Sequence, residues 1–219
     1  MKTKQILLVF FLLVLLAVAI VPGANAASLT VNGAGPCDDG TGSPAYCTIQ
    51  AAIDDALGGD TITVLDGTYT ENLTINKNVI LLSQNGRSTT TIEGISSVGA
   101  LGAIVVTSNT TALQIGDTGQ GFTIVGIDNG TPGIENAAVY FQGSHSGAVV
   151  RDNEIQANGD AGLLTEYGAT IDSFVIDANE FSGQTFVGAE PGDCGFSNQF
   201  TAPNVPRQLV VMGNGGGDV

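Results

Sequence analysis

Two short stretches of this chain, VVRDNEI at residues 149–155 and FVIDANEF at residues 174–181, follow one template. In each, an apolar residue is followed by two further positions, an asparagine, an acidic residue and a second apolar residue. Asn153 and Asn179 hold the same place in the template, at a 26-residue interval. A residue at a sharp corner can adopt left-handed backbone angles, and its amide can bond an asparagine above it. We therefore predict that Asn153 stacks on Asn179 at a corner of the chain.

The spacing extends to an earlier part of the sequence. Ile124, Val150 and Ile176 succeed one another at the interval that separates the two asparagines. Around them, short apolar runs alternate with turns rich in Gly, Asn, Asp and Ser. A fixed period with short strands predicts stacked coils whose strands form parallel sheets around one core. A β-sandwich also has many short strands, but its antiparallel pairing gives an asparagine no reason to return at a fixed offset.

Residues 1–26 form a separate segment. Lys2 and Lys4 precede an unbroken apolar run at residues 6–21, and small residues follow up to Ala26. This arrangement predicts a secretory signal peptide, residues 1–26, that is cleaved after Ala26. The apolar run is shorter than the roughly 20 residues that a helix needs to span a bilayer. We therefore expect a secreted or cell-surface protein whose mature chain does not span the membrane.

Charge restricts the possible partners of the mature chain. Without the two lysines of the signal segment, 4 basic residues stand against 21 acidic ones, a net charge of −17. A surface of this charge repels nucleic acids and anionic membranes, so neither is expected as a partner. The composition, with 31 glycines and no tryptophan, favours short strands joined by tight turns and hence an all-β fold.

Three cysteines are present. Cys37 and Cys47 bracket a loop rich in Gly, Pro and Asp. Because exported proteins meet an oxidising environment, a Cys37–Cys47 disulfide is expected, with two free thiols as the alternative. Cys194 is left over, and its partner could lie beyond the end of this chain.

One helix is predicted in the mature chain, at about residues 48–57. Thr48 can cap its start, and Gly58 is a natural stop. Its apolar positions recur at helical spacing: Ile49, Ile53 and Leu57.

Residues 46–86, YCTIQAAIDDALGGDTITVLDGTYTENLTINKNVILLSQNG, resemble the opening of right-handed parallel β-helix proteins of the pectin-lyase-like group. In that group a short amphipathic helix caps the first coil, and a strand and a G-x-Y-x-E segment follow, here residues 67–71. The resemblance covers residues 46 to about 185 and includes the I-x-x-N-x-I coils described above. It is specific for the fold rather than for one function, because this fold hosts many activities.

The resemblance implies an all-β fold, a right-handed single-stranded parallel β-helix (solenoid) with a short N-terminal capping α-helix. This domain would span residues 47–219, after a loop-rich segment at residues 27–46. The chain closes with an apolar stretch at residues 207–212 and then Gly-rich residues, which is typical of a coil that is cut short. We therefore expect the solenoid to be incomplete at its C-terminal end.

An acidic column is the first candidate site. Asp128, Glu154 and Glu180 succeed one another at the interval that separates the two asparagines. Stacked strands lie about 4.8 Å apart, and like charges at that spacing repel. Ca²⁺, which takes several oxygen ligands, would relieve this repulsion, and the pectate-cleaving proteins of the resembled group have acidic Ca²⁺ sites. The alternative is a solvated acidic surface.

Arg151 and His145 are candidate glycan-binding residues. Arg151 precedes Asp177 by the same interval, so the two can form a surface ion pair; the alternative is contact with an acidic sugar. His145 lies in the turn-like GSHSG segment, and no nucleophile motif surrounds it. Three sequons predict possible N-glycosylation, at Asn72, Asn109 and Asn129.

Two functions are compatible with these features. The segments that carry catalysis in the pectin methylesterases of the resembled group are missing, and the only Asp pairs lie outside the predicted coils, at Asp38-Asp39 and Asp54-Asp55. A secreted or cell-surface module that binds glycan, or serves a structural or adhesive role, is therefore expected, with polysaccharide or cell-envelope components as partners. The alternative is a polysaccharide-active enzyme of the pectate or uronate lyase, glycoside hydrolase or pectin esterase type, with its active site in further coils.

Overall fold

The computed structural model describes residues 26–107, 109–131, 136–166, 171–183 and 198–199. The predicted signal segment up to residue 25, Cys194 and the closing stretch at residues 207–212 lie outside the described residues. In the described part, strands dominate and one helix precedes most of them. In chain order the elements are β1 (Ser28–Val31), α1 (Ile49–Asp55), β2 (Thr61–Val64), β3 (Gly67–Thr70), β4 (Leu73–Ile75), β5 (Ile80–Ser83), β6 (Thr90–Glu93), β7 (Gly102–Val106), β8 (Gln114–Ile115), β9 (Thr123–Val125), β10 (Ala137–Phe141), β11 (His145–Ser146), β12 (Val149–Arg151), β13 (Glu154–Gln156), β14 (Ala161–Thr165), β15 (Ile171–Asp172), β16 (Phe174–Asp177), β17 (Glu180–Ser182) and β18 (Asn198–Gln199).

Three parallel sheets contain all but two of these strands. Sheet A has the order β1-β2-β5-β8-β12-β16-β18, sheet B the order β3-β6-β9-β13-β17, and sheet C the order β4-β7-β10-β14. Strands β11 and β15 form a separate parallel pair. From β2 onward the chain visits sheets A, B and C in turn, and we call one such passage a circuit. Each strand inside a sheet therefore pairs with strands one circuit earlier and one circuit later in sequence, and each edge strand pairs on one side only.

One apolar cluster joins the three sheets. Burying a Val, Leu, Ile or Phe side chain stabilises a fold by about 1.5–3 kcal/mol, so this cluster stabilises the packing of the three sheets against one another. Alternate residues of the strands enter it, among them Ile62, Leu73, Leu81, Ile92, Ile104, Ile124, Val139, Val150, Ile155, Leu163, Ile176 and Phe181. The all-β prediction is confirmed, with parallel sheets and one helix.

The predicted 26-residue period is only local. Val150 pairs with Ile176, as predicted. Ile124, however, lies in sheet B and pairs with Ile155, so the predicted stacking of Ile124 on Val150 is wrong. Paired residues are separated by as few as 19 positions between β2 and β5 and by as many as 35 between β7 and β10. Loops at the corners of the circuits absorb these differences, because extra loop residues cost little free energy.

Helix α1 is shorter than predicted. The Thr48 side chain accepts a hydrogen bond from the amide of Ala51, which confirms Thr48 as the N-cap. The helix ends at Asp55 because Ala56 adopts an extended backbone conformation. Leu57 therefore lies outside the helix with 64% of its surface exposed, and its predicted place on the buried helical face is wrong.

Hydrogen bonds join the start of α1 to the segment that follows β3. The carboxylate of Glu71, from the G-x-Y-x-E segment, accepts hydrogen bonds from the amides of Ile49 (2.8 Å) and Gln50 (3.0 Å). A carboxylate at a helix start satisfies free N–H groups and complements the helix dipole. Burial raises the pKa of Glu71, while these two amide donors act in the opposite direction.

One edge of sheet C, strand β4, is covered by a side-chain amide of helix α1. Gln50 accepts from the amide of Thr74 at 2.7 Å and donates to the carbonyl of Thr74 at 3.2 Å. Its amide thus makes the two hydrogen bonds that a neighbouring strand would make to β4. An unpaired parallel edge invites pairing with another chain, and Gln50 blocks that edge.

The segment before the helix is fixed covalently. Cys37 and Cys47 form the predicted disulfide, which is therefore confirmed. At the other end of α1, the Lys77 ammonium donates to the carbonyls of Asp54 (3.1 Å) and Ala56 (3.0 Å). Among the described residues, no helix has the length and apolar character needed to cross a membrane.

Candidate functional site

The outward side chains of sheet B form a regular polar surface, which we call face B. Strand pairing places them in two rows that cross the five strands of the sheet. The first row consists of Thr68, Thr91, Thr123, Glu154 and Glu180. The second consists of Thr70, Glu93, Val125, Gln156 and Ser182. Each member is exposed or half-buried, and neighbours along a row are about 4.8 Å apart, the spacing of paired strands.

Hydrogen bonds hold several of these side chains in place. Gln156 donates from Nε2 to Oε1 of Glu154 at 2.7 Å, and the Thr123 hydroxyl lies 3.4 Å from Oε2 of the same carboxylate. In the second row, the Thr70 hydroxyl donates to Glu93 at 3.2 Å. Side chains that are oriented before a ligand arrives lose less rotational freedom on binding. Face B thus presents fixed hydroxyl, carboxylate and amide groups on a rigid sheet.

Arg87 joins face B from the loop between β5 and β6. Its guanidinium donates to Oε1 of Glu180 at 2.9 Å and to the backbone carbonyl of Asn153 at 3.2 Å. Sequence reasoning missed Arg87, which lies 93 residues from Glu180 and shares no repeat position with it. The guanidinium provides the positive charge that was expected from Ca²⁺ beside the stacked glutamates.

The predicted calcium column is wrong in one of its three members. Glu154 and Glu180 are paired neighbours, but the partner of Glu154 in the preceding circuit is Thr123. Asp128 lies in the loop after β9, where its carboxylate accepts from the amide of Gly130. In the part of the chain that the structure describes, no group of three His, Cys, Asp or Glu side chains is arranged to hold a metal ion. The prediction assumed that paired strands are always 26 residues apart, and this offset does not hold before β12.

Arg151 lies on sheet A, away from face B. It is paired in register with Asp177, and its Nε is 3.2 Å from a carboxylate oxygen of that residue. A second carboxylate, that of Asp117, lies 3.2 Å from its NH1 group. The amide of Thr118 and this guanidinium together lower the pKa of Asp117. The predicted ion pair is confirmed. Because Arg151 is held between two carboxylates, its surroundings disfavour an acidic sugar.

His145 is buried, with 2% of its surface exposed. Its Nδ1 accepts from the amide of Thr110 at 3.3 Å, and its Nε2 lies 2.8 Å from the carbonyl of Gln142. These partners require the neutral form with the proton on Nε2. Burial lowers the pKa of His145. The imidazole packs edge-on against Phe141, so its predicted contact with a glycan is wrong.

Asn153 and Asn179 stack as predicted. Oδ1 of Asn179 accepts from both the backbone amide (2.9 Å) and Nδ2 (3.1 Å) of Asn153. Oδ1 of Asn153 in turn accepts from the amide of Phe122 at 2.9 Å. The left-handed backbone angles, however, belong to the preceding residues, Asp152 (φ 54°) and Ala178 (φ 57°). That detail of the prediction is wrong: the asparagines point inward and satisfy buried backbone groups at the corner.

Other corner amides also connect successive circuits. Asn72 bonds both the amide (2.7 Å) and the carbonyl (2.9 Å) of Ile95, and Oδ1 of Asn109 accepts from the amide of Ser144. Asn129 is 3% exposed, and its Nδ2 donates to the carbonyl of Ala100. The three sequons therefore carry amides with structural hydrogen bonds, and burial leaves Asn129 little room for a glycan. Glycosylation at Asn72 and Asn109 stays a prediction.

Comparison of the chain with protein families, with curated proteins and with solved structures gave no match. The geometry therefore carries the functional argument alone. Face B combines donors, acceptors and negative charge on an open sheet, an arrangement suited to hydrogen bonding with a hydroxyl-rich ligand.

Proposed function

We propose that this protein is an exported binding module whose face B holds a polysaccharide of the cell envelope or its surroundings. The single observation that carries the proposal is the in-register pair of rows on face B.

We further propose that the three sheets wind as a right-handed parallel β-helix, a solenoid capped by α1. The cycling of the chain through sheets A, B and C supports this winding.

The repeat of face B suits an extended ligand. Equivalent groups recur once per strand, about every 4.8 Å, so a polymer of similar residues can repeat its contacts along a row. Hydroxyls of threonine donate and accept, carboxylates accept from sugar hydroxyls, and the Gln156 amide does both. Val125 adds an apolar patch in the second row, on which the C–H surface of a sugar ring can pack.

Charge determines which polysaccharide is favoured. Glu93, Glu154 and Glu180 contribute three carboxylates to face B, and Arg87 pairs with one of them. The remaining negative charge repels polyuronates and favours neutral or amine-bearing polymers. This choice differs from the acidic ligand that Arg151 suggested from the sequence, because Arg151 is bound between carboxylates on another sheet.

Isothermal titration with soluble neutral, amine-bearing and uronate polysaccharides tests the proposal. We expect binding of a neutral or amine-bearing polymer that weakens about 5- to 12-fold in the variants Thr91→Ala and Glu154→Gln, since each removes a polar contact worth about 1–1.5 kcal/mol. Thr63→Ala is the matched control, because Thr63 is a half-buried threonine on sheet A. Equal loss of affinity in the control and the face B variants would place the ligand elsewhere. Absence of binding to every polymer would reject the proposal.

The enzymatic alternative is distinguished by turnover. A polysaccharide-active enzyme would release reducing ends or unsaturated uronates from these polymers, whereas a binding module leaves them intact. The same polymer panel, assayed for both products with the full-length protein, decides between the two functions.

A further inference from the structure

Asp60 is a buried carboxylate at the start of β2, with 4% of its surface exposed. One oxygen, Oδ2, accepts from the backbone amide of Leu57 at 2.7 Å. The other, Oδ1, accepts from the backbone nitrogen of Ala27 at 2.7 Å. Both bonds come from neutral peptide groups. A buried carboxylate gains more from a cationic donor, because charge-assisted hydrogen bonds are about twice as strong as neutral ones.

Ala27 is the residue that follows the predicted cleavage point. Its carbonyl accepts from the amide of Thr61 at 2.9 Å, so it extends the pairing of β1 with β2 by one residue. The backbone of Ala27 is thus held in the sheet on one side and directed at Asp60 on the other. Ala27 is exposed, so water can reach its nitrogen and accept hydrogen bonds from any further N–H groups there.

We propose that Asp60 is a binding site for the chain's own α-ammonium group, created when the peptide bond between Ala26 and Ala27 is hydrolysed. Hydrolysis adds water across that bond and leaves a carboxylate on Ala26 and an ammonium on Ala27. The ammonium has three donors: one keeps the bond to Oδ1 of Asp60, and the others face solvent. Cleavage thereby converts a neutral contact into an ion pair that closes the N-terminal end of sheet A.

Because the inference rests on the proposed export and processing, its test is made on purified chains whose stability does not depend on export. Three forms are compared: residues 27–219 with a free amine, the same chain with an acetylated amine, and residues 26–219. The acetylated form is the matched control, since it keeps an N–H at Ala27 without the charge. We expect the free-amine form to melt about 2–4 °C higher than the other two, the shift typical of one such contact in a chain of this size.

The variant Asp60→Asn tests whether the difference in melting temperature depends on this carboxylate. In this variant we expect the free and acetylated forms to melt at the same temperature. Equal melting of the three forms with native Asp60, or a difference that survives in Asp60→Asn, would overturn the proposal.

A second measurement applies if Asp60→Asn does not fold. An amine-acylating reagent should modify the α-amine of the 27–219 chain at least several-fold more slowly than that of the 26–219 chain. Lys77, the only lysine after residue 26, is an internal reference in both chains. Equal rates at the two α-amines would overturn the proposal. Separately, the mass of the exported protein reports whether cleavage occurs after Ala26, so a failure of the processing step is distinguishable from a failure of the ion pair.

Discussion

Asparagine side chains at the corners act as the connections between circuits. Asn153 is fully buried and bonds groups in the circuits before and after its own, Phe122 and Asn179. Its Nδ2 also donates to the carbonyl of Ile115 at 3.0 Å. A buried amide with this many partners leaves several polar groups unsatisfied when it is removed. The corner asparagine therefore contributes to stability as a core residue does.

Replacement of Asn153 by alanine should lower the free energy of unfolding by about 3 kcal/mol, because buried donors and acceptors lose their partners. Asn179→Ala should cost less, and the double variant should show a coupling of about 0.5–3 kcal/mol, as expected for residues in direct contact. Denaturant unfolding of the four proteins measures this.

Asn85→Ala provides the control, because Asn85 is exposed and bonds only the exposed carboxylate of Asp66 among the contacts described. We expect it to change the free energy of unfolding by less than about 1 kcal/mol. A loss at Asn153 no larger than that at Asn85 would contradict the role of the buried corner amide.

His145 should make stability depend on pH. Burial lowers its folded pKa, so the unfolded chain binds a proton at higher pH than the folded chain does. The contribution of neutral His145 to stability is therefore fully present above the ordinary histidine pKa, about 6.5. Below that pH the free energy of unfolding decreases, by at most about 1.4 kcal/mol per pH unit.

Unfolding free energies measured between about pH 5.5 and 7.5, on both sides of the ordinary histidine pKa, test this prediction. His145 is the only histidine in the chain, so His145→Phe should remove most of the slope whatever it does to the absolute stability. An unchanged slope in that variant would assign the pH dependence to another group.

At the scale of elements, α1 and the segment around it form a cap built from side chains rather than from strand pairing. The sequence predicted this helix and its N-cap, because amphipathic spacing and a threonine at the start are local signals. It did not predict the partners Glu71 and Gln50–Thr74, since contacts between a helix and later strands leave no periodic pattern. The early end of the helix, at Asp55, was missed because Ala56 and Leu57 are good helix formers whose tertiary setting overrides propensity.

Gln50→Ala should expose the edge of β4. We expect a loss of about 1 kcal/mol in the free energy of unfolding, from two hydrogen bonds exchanged for bonds to water. The larger effect should be aggregation, because a free parallel edge can accept a strand of another molecule. Light scattering at increasing protein concentration measures it.

Gln84→Ala is the control for this experiment, since Gln84 is an exposed glutamine away from that edge. Equal aggregation of the two variants would show that the amide of Gln50 does not protect the edge.

At the scale of the whole molecule, strand register is kept along the sheets while circuit length is not. The repeat at residues 149–181 revealed the stacking because the paired strands there are 26 residues apart in both sheet A and sheet B. Other circuits are shorter or longer, with paired residues 19 positions apart between β2 and β5 and 35 between β7 and β10, and a fixed period cannot follow them. Face B could therefore be only half predicted: Glu154 and Glu180 share the local period, whereas Thr123 and Arg87 reach it through loops of different length.

A stack of circuits in which each strand touches only its neighbours should lose structure in parts. Phe181→Ala creates a cavity in β17, the last described strand of sheet B, and should cost about 3–5 kcal/mol locally. Hydrogen exchange should then rise in β16 and β17, while β2 and β5, at the capped end, keep their protection. A uniform rise through all sheets would instead show that the molecule unfolds as one unit.

The short separation between paired strands has a consequence for assembly. Each strand from β5 onward in the three sheets finds a partner in chain made one circuit earlier. When the chain is delivered amino end first, from a ribosome or through a translocation channel, the strand with which each new strand pairs has therefore already emerged. Helix α1 and the disulfide precede every strand from β2 onward. The molecule can grow in the order in which it is supplied, and no strand needs to wait for a distant, later part of the chain.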